Sequence, residues 1–351
     1  MTKLPSARPR FRPPKRRVLP NDLLWRSDEE AARRLALKAL AGARAAERRL
    51  DDQFDREALH DFRVGVRRLR SVLRAYKVEL QEAVRPKDRR KLRSIQRATG
   101  AGREAEVALK WLKKQHTSLA PDHLVGLNWL SAMLLDRRRR CTDDLDDALR
   151  SSFRDLAADL ESRLAVMRSE QNLLSEHAKA TFAQRVGTLT EDHANELQIV
   201  LGQIANLDDS ERLHDGRIAG KRLRYLLEPL RPYVNEAQQV VKRTKQLQDV
   251  LGDLNDVHVL TQEIDSALSL AMKERGDRIR VSLRAHDLER AQRDAAASEW
   301  SGLIELYTRL ETERMKLLAT LRDRWLSGEL DVLVSQARDL ARLLRQLDRT
   351  N

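Results

Sequence analysis

Two stretches of this sequence set a histidine and a row of cations at one-turn intervals. The first reads His60-Asp-Phe-Arg63-Val-Gly-Val-Arg67-Arg68-Leu-Arg70-Ser-Val-Leu73. The second reads His214-Asp-Gly-Arg217-Ile-Ala-Gly-Lys221-Arg222-Leu-Arg224-Tyr-Leu-Leu227. They match in register over fourteen residues without a gap, 154 positions apart, which marks an internal duplication. The chemistry these residue types offer together is anion binding. Arginine presents a rigid fork of donors to oxyanion oxygens, and lysine adds a compact point charge. The histidines could donate to phosphate when protonated, or cap a neighbouring carbonyl.

A helix is the element that makes a row of these residues. At 3.6 residues per turn, His60, Arg63, Arg67, Arg70 and Arg74 fall within an arc of roughly 80°. Phe62, Leu69, Val72, Leu73 and Tyr76 then lie on the opposite side as a core-facing stripe. In the second copy His214, Arg217, Lys221 and Arg224 repeat the basic arc, and Leu223, Leu226 and Leu227 the apolar one; Glu228 stands where Arg74 would be. A merely solvated face normally interleaves acids with bases for i,i+4 pairing. These arcs are nearly pure cation, and like charges at such spacings destabilise a bare helix, so an anion is expected to complete them. Arg68 and Arg222, off the main arc, are expected to pair with local acids such as Asp61 or Asp215.

Composition agrees with an all-α protein that meets an anionic partner. The net charge is +13 and the pI about 10.1, with 41% apolar residues, enough for a core. Leu, Ala and Arg abound, prolines number nine, and no alternating strand or hairpin is evident. At 351 residues the chain has room for two domains, which the duplication suggests are similar. A single cysteine, Cys141, excludes an internal disulfide framework and suits a reducing cytoplasm. No apolar run approaches a membrane span, and the basic N-terminus lacks the apolar segment of a secretory signal.

Residues 1–20 hold seven basic residues, five prolines and no acid, a composition expected to form a disordered arm. The arm would either add sequence-independent grip on a polyanion or serve as a solubilising tail. Helices are expected over Asp28–Leu50 with Ser27 as N-cap, Asp55 to about Val84, Lys87–Gly100, Arg103–Gln115, Pro121 to about Arg150, and 151–168. The second half is expected to retrace this from Ser175 to about Asn206, Asp209–Leu230, Asn235–Gly252, from Asn255 onward to about Leu326, and Leu330–Leu347. Arg90, Lys91, Arg93, Ile95, Gln96 and Gly100 align with Lys242, Arg243, Lys245, Leu247, Gln248 and Gly252 at a spacing of 152. The two glycines read as left-handed C-caps, and Glu104 and Asp256 as first-turn acids that complement a helix dipole.

At this point the sequence resembles a known family. The pattern His-x-x-Arg-x-x-x-[Arg/Lys]-Arg-Leu-Arg occurs twice, followed by a basic helix and the turn Leu251-Gly-Asp-Leu-Asn255-Asp256. This is similar to the CHAD domain, the conserved-histidine alpha-helical domain, over roughly residues 22–349. Two departures from the family pattern are Ala-Gly-Arg103-Glu104 in place of an Arg-Asp turn and Thr99 in place of a leucine; they bear on Arg103 as a contact. The resemblance implies an all-α fold of two four-helix-bundle-like halves, 22–168 and 172–349, related by a pseudo-twofold axis. It also implies a basic central cavity that binds inorganic polyphosphate. Carried over position by position, the binding residues would be His60, Arg63, Arg67, Arg70, Arg90 and Arg93. Their second-half counterparts would be His214, Arg217, Lys221, Arg224, Lys242 and Lys245, with Arg68, Arg74, Arg103 and Arg222 as weaker candidates.

Two other functions compete with this one. A metal-dependent phosphohydrolase is suggested by the paired His-Asp dipeptides, but a divalent site needs several convergent carboxylates or imidazoles. The Glu-x-Glu-x-Lys pattern of triphosphate-tunnel enzymes, a Gly-rich phosphate loop and a Cys-x-x-Cys pair are all missing. Catalysis, a cofactor and a metal are therefore not expected. Nucleic-acid binding is allowed by the charge, weakly through the N-terminal arm. Aromatics make up only 4%, however, and Trp25, Trp111, Trp129, Trp300 and Trp325 sit mostly in apolar helical settings, a poor platform for stacking bases. The expectation is a non-catalytic polyphosphate binder in the cytoplasm, compatible with polyphosphate granules, with no membrane partner.

Overall fold

Ser27 opens the first helix as expected: its hydroxyl oxygen accepts from the Glu30 amide at 3.3 Å. Asp28, Glu29 and Glu30 fill the first turn of α1 (Asp28–Arg49) and Arg48 and Arg49 the last, both complementing the helix dipole. The computed structural model describes residues 19–52, 55, 57–99, 101–143, 147–166, 180–204, 209–296 and 299–347 (side chains at 101–103, 141–143, 147, 148 and 296 apart). The N-terminal arm to residue 18, and Gly100 with its expected cap, lie outside that set.

After α1 come α2 (Ala58–Ala75), α3 (Pro86–Ala98), α4 (Ala101–Gln115), α5 (Leu124–Asp143) and α6 (Asp147–Ala165). They are followed by α7 (Phe182–Gly202), α8 (Ser210–Leu227), α9 (Asn235–Arg284), α10 (Leu288–Ala296), α11 (Trp300–Thr320) and α12 (Leu330–Gln346). Among the described residues there is no strand; one isolated bridge joins Ser27 and Thr181. Thr181 and Gln184 form a reciprocal capping box at the start of α7, with the Gln184 amide donating to Thr181 Oγ1 and the Thr181 amide to Gln184 Oε1.

Three sequence expectations are corrected. The helix expected over Asp55 to about Val84 is α2 alone, because Tyr76, its ring buried, leaves helical geometry (φ −106°, ψ 46°) and residues 76–83 run in turns. The break expected between Gly252 and Asn255 is absent: α9 runs for 50 residues without interruption. Leu251, Leu254, Val257 and Leu260 are all buried there, and that packing outweighs the roughly 0.5–1 kcal/mol cost of a mid-helix glycine. Gly252 is therefore no cap and Asp256 no first-turn acid, whereas Glu104 does stand in the first turn of α4.

The chain divides into two compact units, residues 1–96 with 148–185 and 348–351, and residues 97–147 with 186–347. The first unit holds α1, α2, most of α3 and nearly all of α6. Its core includes Leu40, Phe62, Leu69, Leu73, Phe153 and Leu160, with Phe62 and Phe153 edge to face at 4.9 Å between ring centres. Gly65 is needed there: a Cβ would stand 2.7 Å from the Ala43 Cα on α1.

The second unit combines α4 and α5 from the first half of the sequence with helices of the second half. Leu112 of α4 and Leu130 and Leu134 of α5 share one buried cluster with Leu260, Ile264 and Ala267 of α9 and Leu303, Leu306 and Leu310 of α11. Gly126 and Gly302 bring α5 and α11 so close that a Cβ on Gly302 would stand 2.2 Å from the His123 carbonyl oxygen. Between α11 and α12 the backbone follows a π-helical path over Leu321–Glu329 that is kinked at Gly328 (φ 158°), with Trp325 fully buried.

Candidate functional site

In the first unit the predicted division of α2 holds. Phe62, Leu69, Val72, Leu73 and Tyr76 are buried, whereas Arg67 and Arg74 are exposed and His60, Arg63 and Arg70 half-buried. The basic arc thus runs along the flank and outer face of a helix whose other side is fixed in the core.

The following helix is docked by a mostly buried network. Asp88, itself buried, accepts from the Arg85 amide at 2.8 Å and pairs with Arg163 at 2.9 Å. Arg89 donates to the Leu73 carbonyl, tying α3 to the end of α2, and burial lowers its pKa. With Leu92 and Ile95 turned into the core, Arg90 and Arg93 project outward. Gln96 accepts from Arg70 Nη1, so one arginine of the arc is oriented by the neighbouring basic helix.

Asp55 and Asp61 are held by the end of α1. Arg49 bonds Asp55 at 2.8 Å and also Asp61, which raises the arginine's pKa and holds the Asp55 carboxyl below its usual value. The Asp61 partner is therefore Arg49 of α1, where Arg68 had been expected.

In the second unit Asp209 caps α8, its carboxylate accepting from the Arg212 amide at 3.0 Å. His214 is exposed, with Nδ1 3.4 Å from Asn255 Oδ1 on α9. Arg217, Lys221 and Arg224 are half-buried, and Arg224 lies over the Tyr225 ring at 4.8 Å. Leu223, Leu226 and Leu227 are buried behind them. On α9, Lys242 and Lys245 are exposed beside buried Val241, Thr244 and Leu247. Among the described residues Arg67, Arg90, Arg93, Lys242 and Lys245 enter no ion pair.

Arg222 is a second correction. It pairs with Glu196 of α7 in place of Asp215. The other Glu196 oxygen lies 3.3 Å from His193, whose pKa burial lowers despite that carboxylate. Of the weaker candidates, Arg68 and Arg74 are exposed on α2, while the side chain of Arg103 lies outside the described residues. Glu196 and Arg89 carry no signal as supports in the sequence; Asn255 is visible only within the Leu251–Asp256 motif, and Gln96 only as a position shared by the two halves.

Asp249, Asp253 and Asp256 lie a turn apart on α9, and partial burial together with Asp256, Asp249 and Glu313 raises the Asp253 pKa. Among the described residues, no three His, Cys, Asp or Glu side chains are placed to hold one metal ion. No described helix is long and apolar enough to cross a membrane. None of the five tryptophans is exposed, and Trp111 donates to Glu313 at 3.0 Å.

A family model of the CHAD domain matches residues 31–265. Among solved structures, the crystal structure of the CHAD domain from the plant Ricinus communis superposes with a TM-score of 0.57 at 20% identity, covering 92% of this chain and 93% of that one. At that identity the likeness speaks for the fold. No curated protein matches the sequence.

Proposed function

This chain belongs to the CHAD domain family, and on that footing we propose that it binds inorganic polyphosphate and does not turn it over. The observation that carries the proposal is the outward set of Arg67, Arg90, Arg93, Lys242 and Lys245, cations that pair with no acid among the described residues. Like charges in a row, on a helix whose other face is locked into a core, repel along that row until an anion neutralises them. A chain of phosphates supplies closely spaced negative charge and acceptor oxygens that suit arginine forks. His60, Arg63, Arg70, His214, Arg217, Lys221 and Arg224 complete the two sets.

A cytoplasmic location and association with polyphosphate granules are part of this proposal. Binding by many cations should weaken steeply with salt. Titration of a defined-length polyphosphate into the wild type, Arg63→Ala, Arg217→Ala and the double variant tests it, with circular dichroism confirming that each remains folded. Each single change should weaken binding, and the double variant should lose most of it. Wild-type affinity in the double variant would refute the proposal. Phosphate released in the presence of Mg²⁺ or Mn²⁺ would make the protein an enzyme, and DNA that displaces polyphosphate as readily as the reverse would make it a general polyanion binder.

A further inference from the structure

The two aligned glutamines of the basic helices do different things. Gln96 lends its amide oxygen to Arg70. Gln248, 7% exposed on α9, makes no such bond, and its amide nitrogen is buried without a hydrogen-bond partner among the described residues. That nitrogen lies against α8 at Gly220, 3.5 Å from where a Cβ would stand. On a helix, position 220 flanks the basic arc, between Arg217 and Arg224 along the axis and within roughly 60° of both around it. The first copy has Val66 at this position, 1% exposed, where the second has glycine and leaves the amide room.

We propose that the Gln248 carboxamide is a ligand-binding group, a neutral donor to a phosphate oxygen held by Arg217 and Arg224. The proposal rests on the polyphosphate reading above. Buried donors are nearly always bonded, and one left without an acceptor is costly to the fold. A phosphate oxygen offers only acceptor lone pairs and is drawn to the same place by the two guanidinium groups. Such a donor adds a directed hydrogen bond without adding charge. It would therefore favour a ligand whose oxygens have the right spacing over one that is merely anionic.

The test is titration of defined-length polyphosphate into the wild type, Gln248→Leu, Gln248→Lys and Arg217→Ala over a range of salt, with thermal unfolding of each ligand-free protein. Gln248→Leu should bind roughly ten- to a hundredfold more weakly, the loss of one hydrogen bond to a charged acceptor, with the salt dependence unchanged because no ion pair is lost. Its ligand-free form should melt at a higher temperature than the wild type, since the unmet donor is gone. Gln248→Lys should regain affinity with a steeper salt dependence, and Arg217→Ala should weaken binding with a shallower one. Wild-type affinity in Gln248→Leu, or affinity and melting temperature falling together, would overturn the assignment by leaving the residue a packing role. If Gln248→Leu binds normally while Arg217→Ala does not, this inference alone fails; if the wild type does not bind, the polyphosphate reading fails with it.

Discussion

Arg70 Nη1 donates to Gln96 Oε1, which fixes the fourth member of the first basic arc against the helix that follows. Hydrogen bonds to a charged group contribute about 1.5–3 kcal/mol when well shielded, and partial exposure reduces this one to about 1 kcal/mol. Gln96→Leu should lower the urea midpoint accordingly with an unchanged slope. In a double-mutant cycle with Arg70→Ala, the coupling should exceed about 0.5 kcal/mol. Strictly additive effects would show that the bond does not orient the arginine.

Two glycines on the candidate helices should respond with opposite signs. Gly252 lies inside α9 with nothing within 4 Å of an added Cβ, so Gly252→Ala should stabilise by about 0.5–1 kcal/mol through helix propensity. Gly65 meets the Ala43 backbone, and Gly65→Ala should destabilise by about 1–3 kcal/mol through overpacking. Chemical denaturation checks both. Loss of stability in Gly252→Ala would restore the capping role first read from the sequence.

His193 should make stability depend on pH. Burial lowers its folded-state pKa below the ordinary value of 6.5, and the Glu196 carboxylate only partly offsets that. As pH falls below about 6.5 the unfolded chain takes up the proton first, so this contribution to stability is present above that pH and is lost on the way down to the folded-state pKa. His193→Gln should flatten the fall in urea midpoint between neutral and mildly acidic pH. A slope identical to wild type would assign the pH dependence to other groups.

The sequence was most legible where a periodic pattern coincided with a core. Phe62, Leu69 and Tyr76 recur on one side of α2 because they are buried, and the arginines opposite are outward for the same reason. It misled where composition mimicked a turn. Gly252 and Asn255 look like a helix boundary, yet Leu251, Leu254 and Val257 bury a seam on either side and keep the backbone helical. Partner choice was the least legible. That Asp61 would be taken by Arg49, and Arg222 by Glu196, depends on which helices lie alongside, information that no local spacing carries.

The shared cluster of α4, α5, α9 and α11 bears on how the gene could be cut. A break anywhere between Ala165 and Phe182 would strand the apolar sides of α4 and α5 on one fragment and their covering leucines on the other. Despite its repeated motif, the polypeptide is not two independent modules in tandem. Each fragment would expose a sticky seam, so co-expressed pieces should find each other whereas either piece alone should aggregate.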